Sequence, residues 1–240
     1  MMGLRLSRRA RIVLILLFAA GFILFMPMRI ALGLAGLERV GVAARDVRGS
    51  IWGGRIDQLM LGTMSLGSVR AALSPVSLLM GRVRVDMERS EGAADDVSGA
   101  MTIGLGRFGI DDVTGAVPLG RAFAPLPVAS FVMDDVTAYF SGDRCGHAEG
   151  RVRAQLAGQF PGLNLSQGLS GMATCDGDAL LLPLVSQSGL EKVNLRLWRS
   201  GRYVAEMRVE TADAALADAL AKSGFATAGG ARVLRVEGTL

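Results

Sequence analysis

Residues 12–28, IVLILLFAAGFILFMPM, form an apolar run without a single charged side chain. Arg5, Arg8, Arg9 and Arg11 stand directly before it and Arg29 directly after it. About 17 residues rise roughly 25 Å as a helix, near the lower limit for crossing a bilayer. Ile30, Ala31, Leu32 and Leu34 extend the apolar stretch to residue 34. In hydrocarbon the backbone must satisfy its own hydrogen bonds, so such a segment is expected to be a transmembrane helix over residues 12–34. A cleaved signal peptide is the competing reading. The basic leader fits it, but the run is long for one and Phe25-Met26-Pro27-Met28-Arg29 is not a small-residue cleavage site. A buried core helix agrees poorly with four preceding arginines. The basic cluster predicts that the N-terminus stays in the cytoplasm and that the bulk of the chain is exported.

The net charge of +4 and the basic isoelectric point of about 9.7 invite a nucleic-acid reading. That excess is local. Of 26 lysines and arginines, four lie in the N-terminal arm, and the remainder has 22 basic against 22 acidic residues. The exported part is neutral, with no net field to attract phosphate, so no nucleic-acid partner is expected. The arginines of the arm read as a topology signal.

Six segments share the pattern apolar-x-Gly-x-apolar, centred on Gly49, Gly99, Gly115, Gly150, Gly171 and Gly238. Alternate positions share one face of a strand, and a glycine among them suits a bulge or bend. The spacing is too irregular for a propeller or solenoid. Alternation also marks residues 83–88, 193–197 and 203–210, with Ser200-Gly201 as a hairpin turn. Pro75 to Gly81 reads as one turn of helix opened by proline and closed by glycine. Thr211 or Asp213 caps a helix over 211–223 whose stripe is Ala212, Ala215, Leu216, Ala219 and Leu220, and Gly224 stops it. The expected fold is mainly β. A cytoplasmic basic arm (1–11) and one transmembrane helix (12–34) precede an antiparallel, curved β-sheet domain over 47–240 with one short C-terminal helix.

The only cysteines are Cys145 and Cys175. In an oxidising compartment a disulfide between them is expected. Closing a loop of about 30 residues contributes roughly 3–4 kcal/mol in the chain-entropy model. Two thiols too far apart to bridge remain the alternative, because sequence does not place the Cα atoms.

Catalytic chemistry finds no obvious seat. His147 is the sole histidine, and one His with two Cys falls short of a zinc site. Asp95-Asp96, Asp111-Asp112 and Asp134-Asp135 are adjacent pairs, which point to opposite faces of a strand and do not converge as an acid–base dyad. They read as turn or edge residues. Residues 104–109 match G-x-G-x-x-G, but the next segment reads as a strand where a dinucleotide site needs a helix. No cofactor, metal or enzymatic activity is expected.

Four features in order resemble the type II secretion system protein N family. They are the basic arm, the transmembrane segment ending near Pro27, the element Gly49-Ser50-Ile51-Trp52-Gly53-Gly54, and the element Pro75-Val76-Ser77-Leu78-Leu79-Met80-Gly81-Arg82. Ala71, Ala72 and Leu73 stand where that family would be expected to carry a tryptophan, which leaves room for a second resemblance, to AsmA-like anchored β proteins that carry lipid. The first resemblance implies a non-enzymatic component of the machinery that exports folded proteins across the outer membrane. It would be single-pass in the bacterial inner membrane, with its domain in the periplasm. Its partners would be inner-membrane platform proteins and possibly the outer-membrane secretin. It singles out Gly49, Trp52, Gly54, Pro75, Leu78, Leu79 and Gly81 as packing residues. Trp52 reads as a core anchor, with a partner contact as the alternative.

The topology is directly testable. A reporter active only outside the cytoplasm, fused after Leu240, is expected to be active; a stable but silent fusion would overturn the export reading.

Overall fold

The computed structural model describes residues 7–35, 42–61, 64–89, 96–104, 106–120, 122–156 and 167–239. Arg5, Asp95 and Leu240 lie outside these. Two helices open the chain, α1 (Arg8–Leu24) and α2 (Met28–Ala35). The expected continuous helix over 12–34 is therefore broken. Pro27 has no N–H and disfavours helical geometry in the residue before it, so the chain leaves the helix at Phe25. Among the described residues no helix is long and apolar enough to cross a membrane.

The strands follow: β1 (Val42–Ala43), β2 (Asp46–Ser50), β3 (Gly53–Leu61) and β4 (Met64–Leu73). A single helical turn, α3 (Pro75–Leu79), separates them from β5 (Val83–Arg89), β6 (Val97–Gly104), β7 (Arg107–Pro118), β8 (Val128–Ser141) and β9 (Arg144–Leu156). Then come β10 (Leu169–Met172), β11 (Thr174–Asp176), β12 (Ala179–Val185), β13 (Glu191–Leu197) and β14 (Arg202–Val209). The chain closes with α4 (Ala214–Lys222), β15 (Ala226–Ala228) and β16 (Ala231–Thr239). The sixteen strands form one antiparallel sheet of order β1-β3-β4-β5-β6-β7-β8-β9-β10-β12-β13-β14-β16-β15, with β2 also on β3 and β11 also on β12. The mainly β fold with a short C-terminal helix is as the strand pattern predicts. Asp213 caps α4, accepting from the backbone N–H of Ala215 at 2.8 Å and of Leu216 at 3.4 Å.

Asp96 lies just before β6, outside any strand, but the pairs Asp111-Asp112 and Asp134-Asp135 are not at turns or edges. Asp112 and Asp135 hold φ of 50° and 54°, as the extra residues of bulges in the central strands β7 and β8. The two bulges tie each other down. The Asp112 N–H donates to Thr137 Oγ1 at 3.0 Å, and the Asp135 N–H to Thr114 Oγ1 at 3.1 Å. Beside them Gly150 sits at φ 96°, where a Cβ would overlap the Asp135 carbonyl. Bulges increase local twist. Cα atoms of β4 and β7 come within 8 Å, whereas a flat sheet would hold strands three places apart at roughly 14 Å. The sheet is thus strongly curled.

Two apolar clusters line it. The larger spans β8 to β16, with Leu169, Leu184, Met207, Leu220, Val152 and Val209 almost wholly shielded from solvent. Phe123 meets the Tyr203 ring edge-on at 4.8 Å, and the Tyr203 hydroxyl donates to the Ala122 carbonyl at 2.6 Å. The smaller joins Met28 of α2 to Ile56, Leu59, Val69 and Ala71. Met28 and Leu32, expected inside the membrane segment, pack on the sheet instead. Cys145 of β9 and Cys175 of β11 form a disulfide with Cα atoms 5.5 Å apart.

Gly150→Ala forces a side chain into a left-handed position beside a carbonyl. It is expected to cost about 1–3 kcal/mol in thermal unfolding of the full chain. Gly53→Ala, with open space around it, should stay within about 0.5 kcal/mol of wild type.

Candidate functional site

The element Gly49-Ser50-Ile51-Trp52-Gly53-Gly54 is the hairpin turn between β2 and β3, with Gly49 opposite Gly54 and Ser50 opposite Gly53. Gly49 holds φ 90°, and a Cβ there would lie 2.6 Å from the Gly53 carbonyl oxygen. This turn receives the end of α1. The last carbonyls of a helix lack partners within it. Here the Trp52 Nε1–H donates to the Leu24 carbonyl at 3.0 Å, and the Ile51 N–H donates to the Met26 carbonyl at 3.2 Å. Pro27 forms a lone antiparallel bridge with Ser50. Ile51 in turn accepts from the Leu73 N–H at 2.8 Å, which carries the connection on to β4. Met28 then lies over Gly54, where any Cβ would overlap its sulfur. A Cβ there would also lie 2.9 Å from the Arg48 carbonyl oxygen, a backbone contact that favours glycine at that position.

Trp52 is half-buried, not the core anchor expected from its sequence context. Ile51, its neighbour, is the buried member of the turn. The second element, Pro75 to Arg82, is placed at the same end of the sheet, because Leu73 binds Ile51 and Ser74 follows directly. Ser74 caps α3, donates its own N–H to the Arg84 carbonyl at 2.9 Å, and Gly81 (φ 72°) ends the turn. Leu78 is half-buried, whereas Leu79 is 90% exposed. The structure therefore places Gly49, Trp52 and Gly54 at the exit of α1, and Pro75, Leu78, Leu79 and Gly81 at the same end of the sheet. Arg8, Arg9 and Arg11 lie in its first turns, and Cys145–Cys175 lies elsewhere in the sheet. Leu24, Met26 and Met28 belong to the junction but escaped sequence reasoning, which assigned them to an uninterrupted apolar helix. Pro27 was the available signal.

The remaining polar groups are structural in their geometry. Asp111, 8% exposed, accepts from Arg84 Nη1 at 2.8 Å and from the Thr102 hydroxyl at 3.0 Å. The carboxylates around Arg84, Asp86 first and then Asp111, push its guanidinium above its ordinary range against the opposing effect of burial. Buried Glu191 accepts from the Ser186 and Ser188 hydroxyls at 2.5 and 2.6 Å within the β12–β13 turn. His147 lies in β9, 3.2 Å from Glu149. Among the described residues no group of three or more His, Cys, Asp or Glu could hold a metal ion.

The curled sheet carries a half-open apolar pocket of about 200 Å³, lined by Leu59, Leu66, Val69, Met87, Ile110 and Val113 among others, beside a wider polar-lined groove of about 1220 Å³ that shares Arg89, Val97 and Met133 with it. Small-ligand sites usually offer roughly 300–1,000 Å³. At the cavity's rim Arg89, 6% exposed, donates to the carbonyls of Leu66 at 3.2 Å and Ala116 at 2.6 Å.

A family model described as "Type II secretion system (T2SS), protein N" matches residues 40–235. A protein of Vibrio cholerae serotype O1 (strain ATCC 39315 / El Tor Inaba N16961), named "Type II secretion system protein N", is 27% identical over 198 residues. That alignment covers 77% of this chain and 78% of the relative. No solved structure matches the chain.

Trp52→Phe removes the hydrogen bond to Leu24 while keeping an aromatic ring. It is expected to cost about 0.5–1.5 kcal/mol, well below the loss for truncating a core tryptophan. Hydrogen exchange should quicken at residues 24–32 and leave β8 to β16 unchanged. Loss of protection throughout the sheet would restore Trp52 to the core.

Proposed function

The chain belongs to the type II secretion system protein N family, and from that membership we propose that it is a non-enzymatic subunit of the secretion machinery, anchored in the inner membrane. The observation that carries the reading is the extent of the family match, residues 40–235, which takes in nearly the whole sheet domain. On this reading α1 is the anchor. Its apolar side chains from Ile12 to Leu17 are 54–66% exposed and Phe18 is 77% exposed, a surface that no other part of the described residues covers. The basic residues Arg8, Arg9 and Arg11 at its start hold the N-terminus in the cytoplasm. The sheet then stands in the periplasm, whose oxidising character agrees with the Cys145–Cys175 bridge.

The subunit acts by contacts with inner-membrane platform proteins and, across the periplasm, with the secretin. Helix and sheet are joined directly, the Leu24 and Met26 carbonyls accepting from the Trp52 Nε1–H and the Ile51 N–H. A partner that grips the sheet therefore also positions the anchor. The lipid-carrier alternative is less well supported, because the family model and the curated relative both name the type II secretion system.

Deleting the gene is expected to reduce export of the system's folded substrates or to destabilise its platform. The full chain should restore export, and residues 47–240 behind an unrelated signal peptide should restore it poorly. Normal export in the deletion strain, with altered outer-membrane lipid composition, would overturn this reading in favour of lipid handling.

A further inference from the structure

We propose that α3 and the strand ends beside it form a second membrane contact, an apolar and basic foot resting on the outer leaflet of the bilayer that α1 enters. The inference rests on the anchored reading above and adds a surface that the anchor does not require. A short helical turn in a soluble domain ordinarily turns its apolar residues inward. In α3 the opposite holds. Leu79 is 90% exposed, Val76 58% and Met80 57%, and no α3 residue is buried. The patch continues into the sheet, where Val83 and Ile103 are register partners in β5 and β6 and are 40% and 45% exposed.

Its position identifies the occupant. The Leu24 carbonyl binds Trp52, the Met26 carbonyl binds Ile51, and the Ile51 carbonyl binds Leu73, one residue before the α3 cap. The foot is thus tied by successive hydrogen bonds to the last turn of α1. That helix is itself short: 17 residues. Such a length rises roughly 25 Å, against a hydrocarbon core of about 30 Å. An anchor with no length to spare draws the attached turn down to the headgroups. The chemistry of the foot suits that level. Trp52 presents an amphipathic ring of the kind concentrated at membrane interfaces. Arg29, Arg82 and Arg107 are exposed at this end, with Gly104 paired to Arg107 and close-packed on Arg82. The nearby Asp86 is engaged by Arg84 at 2.9 Å. Apolar side chains flanked by arginines match an anionic leaflet.

The test uses the full chain in vesicles of phosphatidylethanolamine and phosphatidylglycerol. The Cys145–Cys175 bridge leaves no other thiol, so an environment-sensitive dye can be placed at Leu79→Cys, or at Leu190→Cys at the opposite end of the sheet. Both positions are exposed, so neither change threatens folding. The dye at position 79 is expected to emit at shorter wavelength and to resist iodide quenching, while the dye at position 190 is quenched as in water. Equal quenching at the two positions, in a chain that still resists alkaline extraction, would overturn the foot and leave the anchor standing. Extraction of the chain at alkaline pH would overturn the anchor and the foot together. A photo-crosslinker at Val76 in cells that captures protein and no lipid would overturn the bilayer as occupant and put a protein partner in its place.

Discussion

Proline 27 leaves the chain with backbone groups that no helix can satisfy, and the β2–β3 turn is built to satisfy them. The carbonyls of Leu24 and Met26 have lost their i+4 partners, and Trp52 Nε1–H and the Ile51 N–H replace them. Everything at this end of the molecule depends on that exchange. It fixes the direction in which the chain leaves α1, sets Met28 over Gly54, and seeds the smaller apolar cluster on β3 and β4. It also explains a sequence element in which a tryptophan is followed by two glycines. The ring reaches back to the helix, and the glycines let backbone and methionine come close.

The sheet meets a different constraint. Sixteen antiparallel strands without helices packed along both faces must bury apolar surface by curling on themselves. The paired bulges of β7 and β8 provide the curl. Each places an aspartate in the left-handed region and returns its N–H to a threonine on the neighbouring strand. The arrangement is reciprocal, so neither bulge can slip without undoing the other. The larger cluster then closes beneath Phe123, Tyr203 and α4, while the smaller one depends on α2.

Strand alternation, the Asp213 cap of α4 and the proline-to-glycine turn of α3 were all legible in the sequence, because each is set by neighbours within a few residues. The disulfide followed from the cysteine count together with the expectation of an oxidising compartment. Three features were not. The helix break at Phe25 depended on a single proline inside an apolar run, where hydropathy outweighed backbone chemistry. Trp52 was placed in the core because a tryptophan between small residues in a strand pattern usually is buried; its true partner, the Leu24 carbonyl, lies 28 residues away. Asp111-Asp112 and Asp134-Asp135 looked like turn residues because aspartate favours turns, and nothing local shows that Thr137 and Thr114 face them across a strand.

The two edges of the sheet bear on how such a subunit meets its partners. An open edge strand is a template for another chain, and natural sheets shorten or cover it. Here one edge is carried by β1 and β2, two and five residues long, and Pro27 bridges Ser50 at its end. The other is shared by β15, with three residues, and β16, of which β15 covers only residues 231–233. Residues 234–239 of β16 have β14 on one side and, among the described residues, no strand on the other. On the proposed reading this stretch is the edge open to strand addition, and the β1–β2 edge leaves contacts to the faces and hairpin tips. Both ends of most strands carry short turns, and those at the α1 exit are held at a fixed place relative to α1. On the proposed non-enzymatic reading the subunit works by where it holds its surfaces, and the hydrogen bonds between Leu24, Met26, Ile51, Trp52 and Leu73 set the position of this end relative to α1.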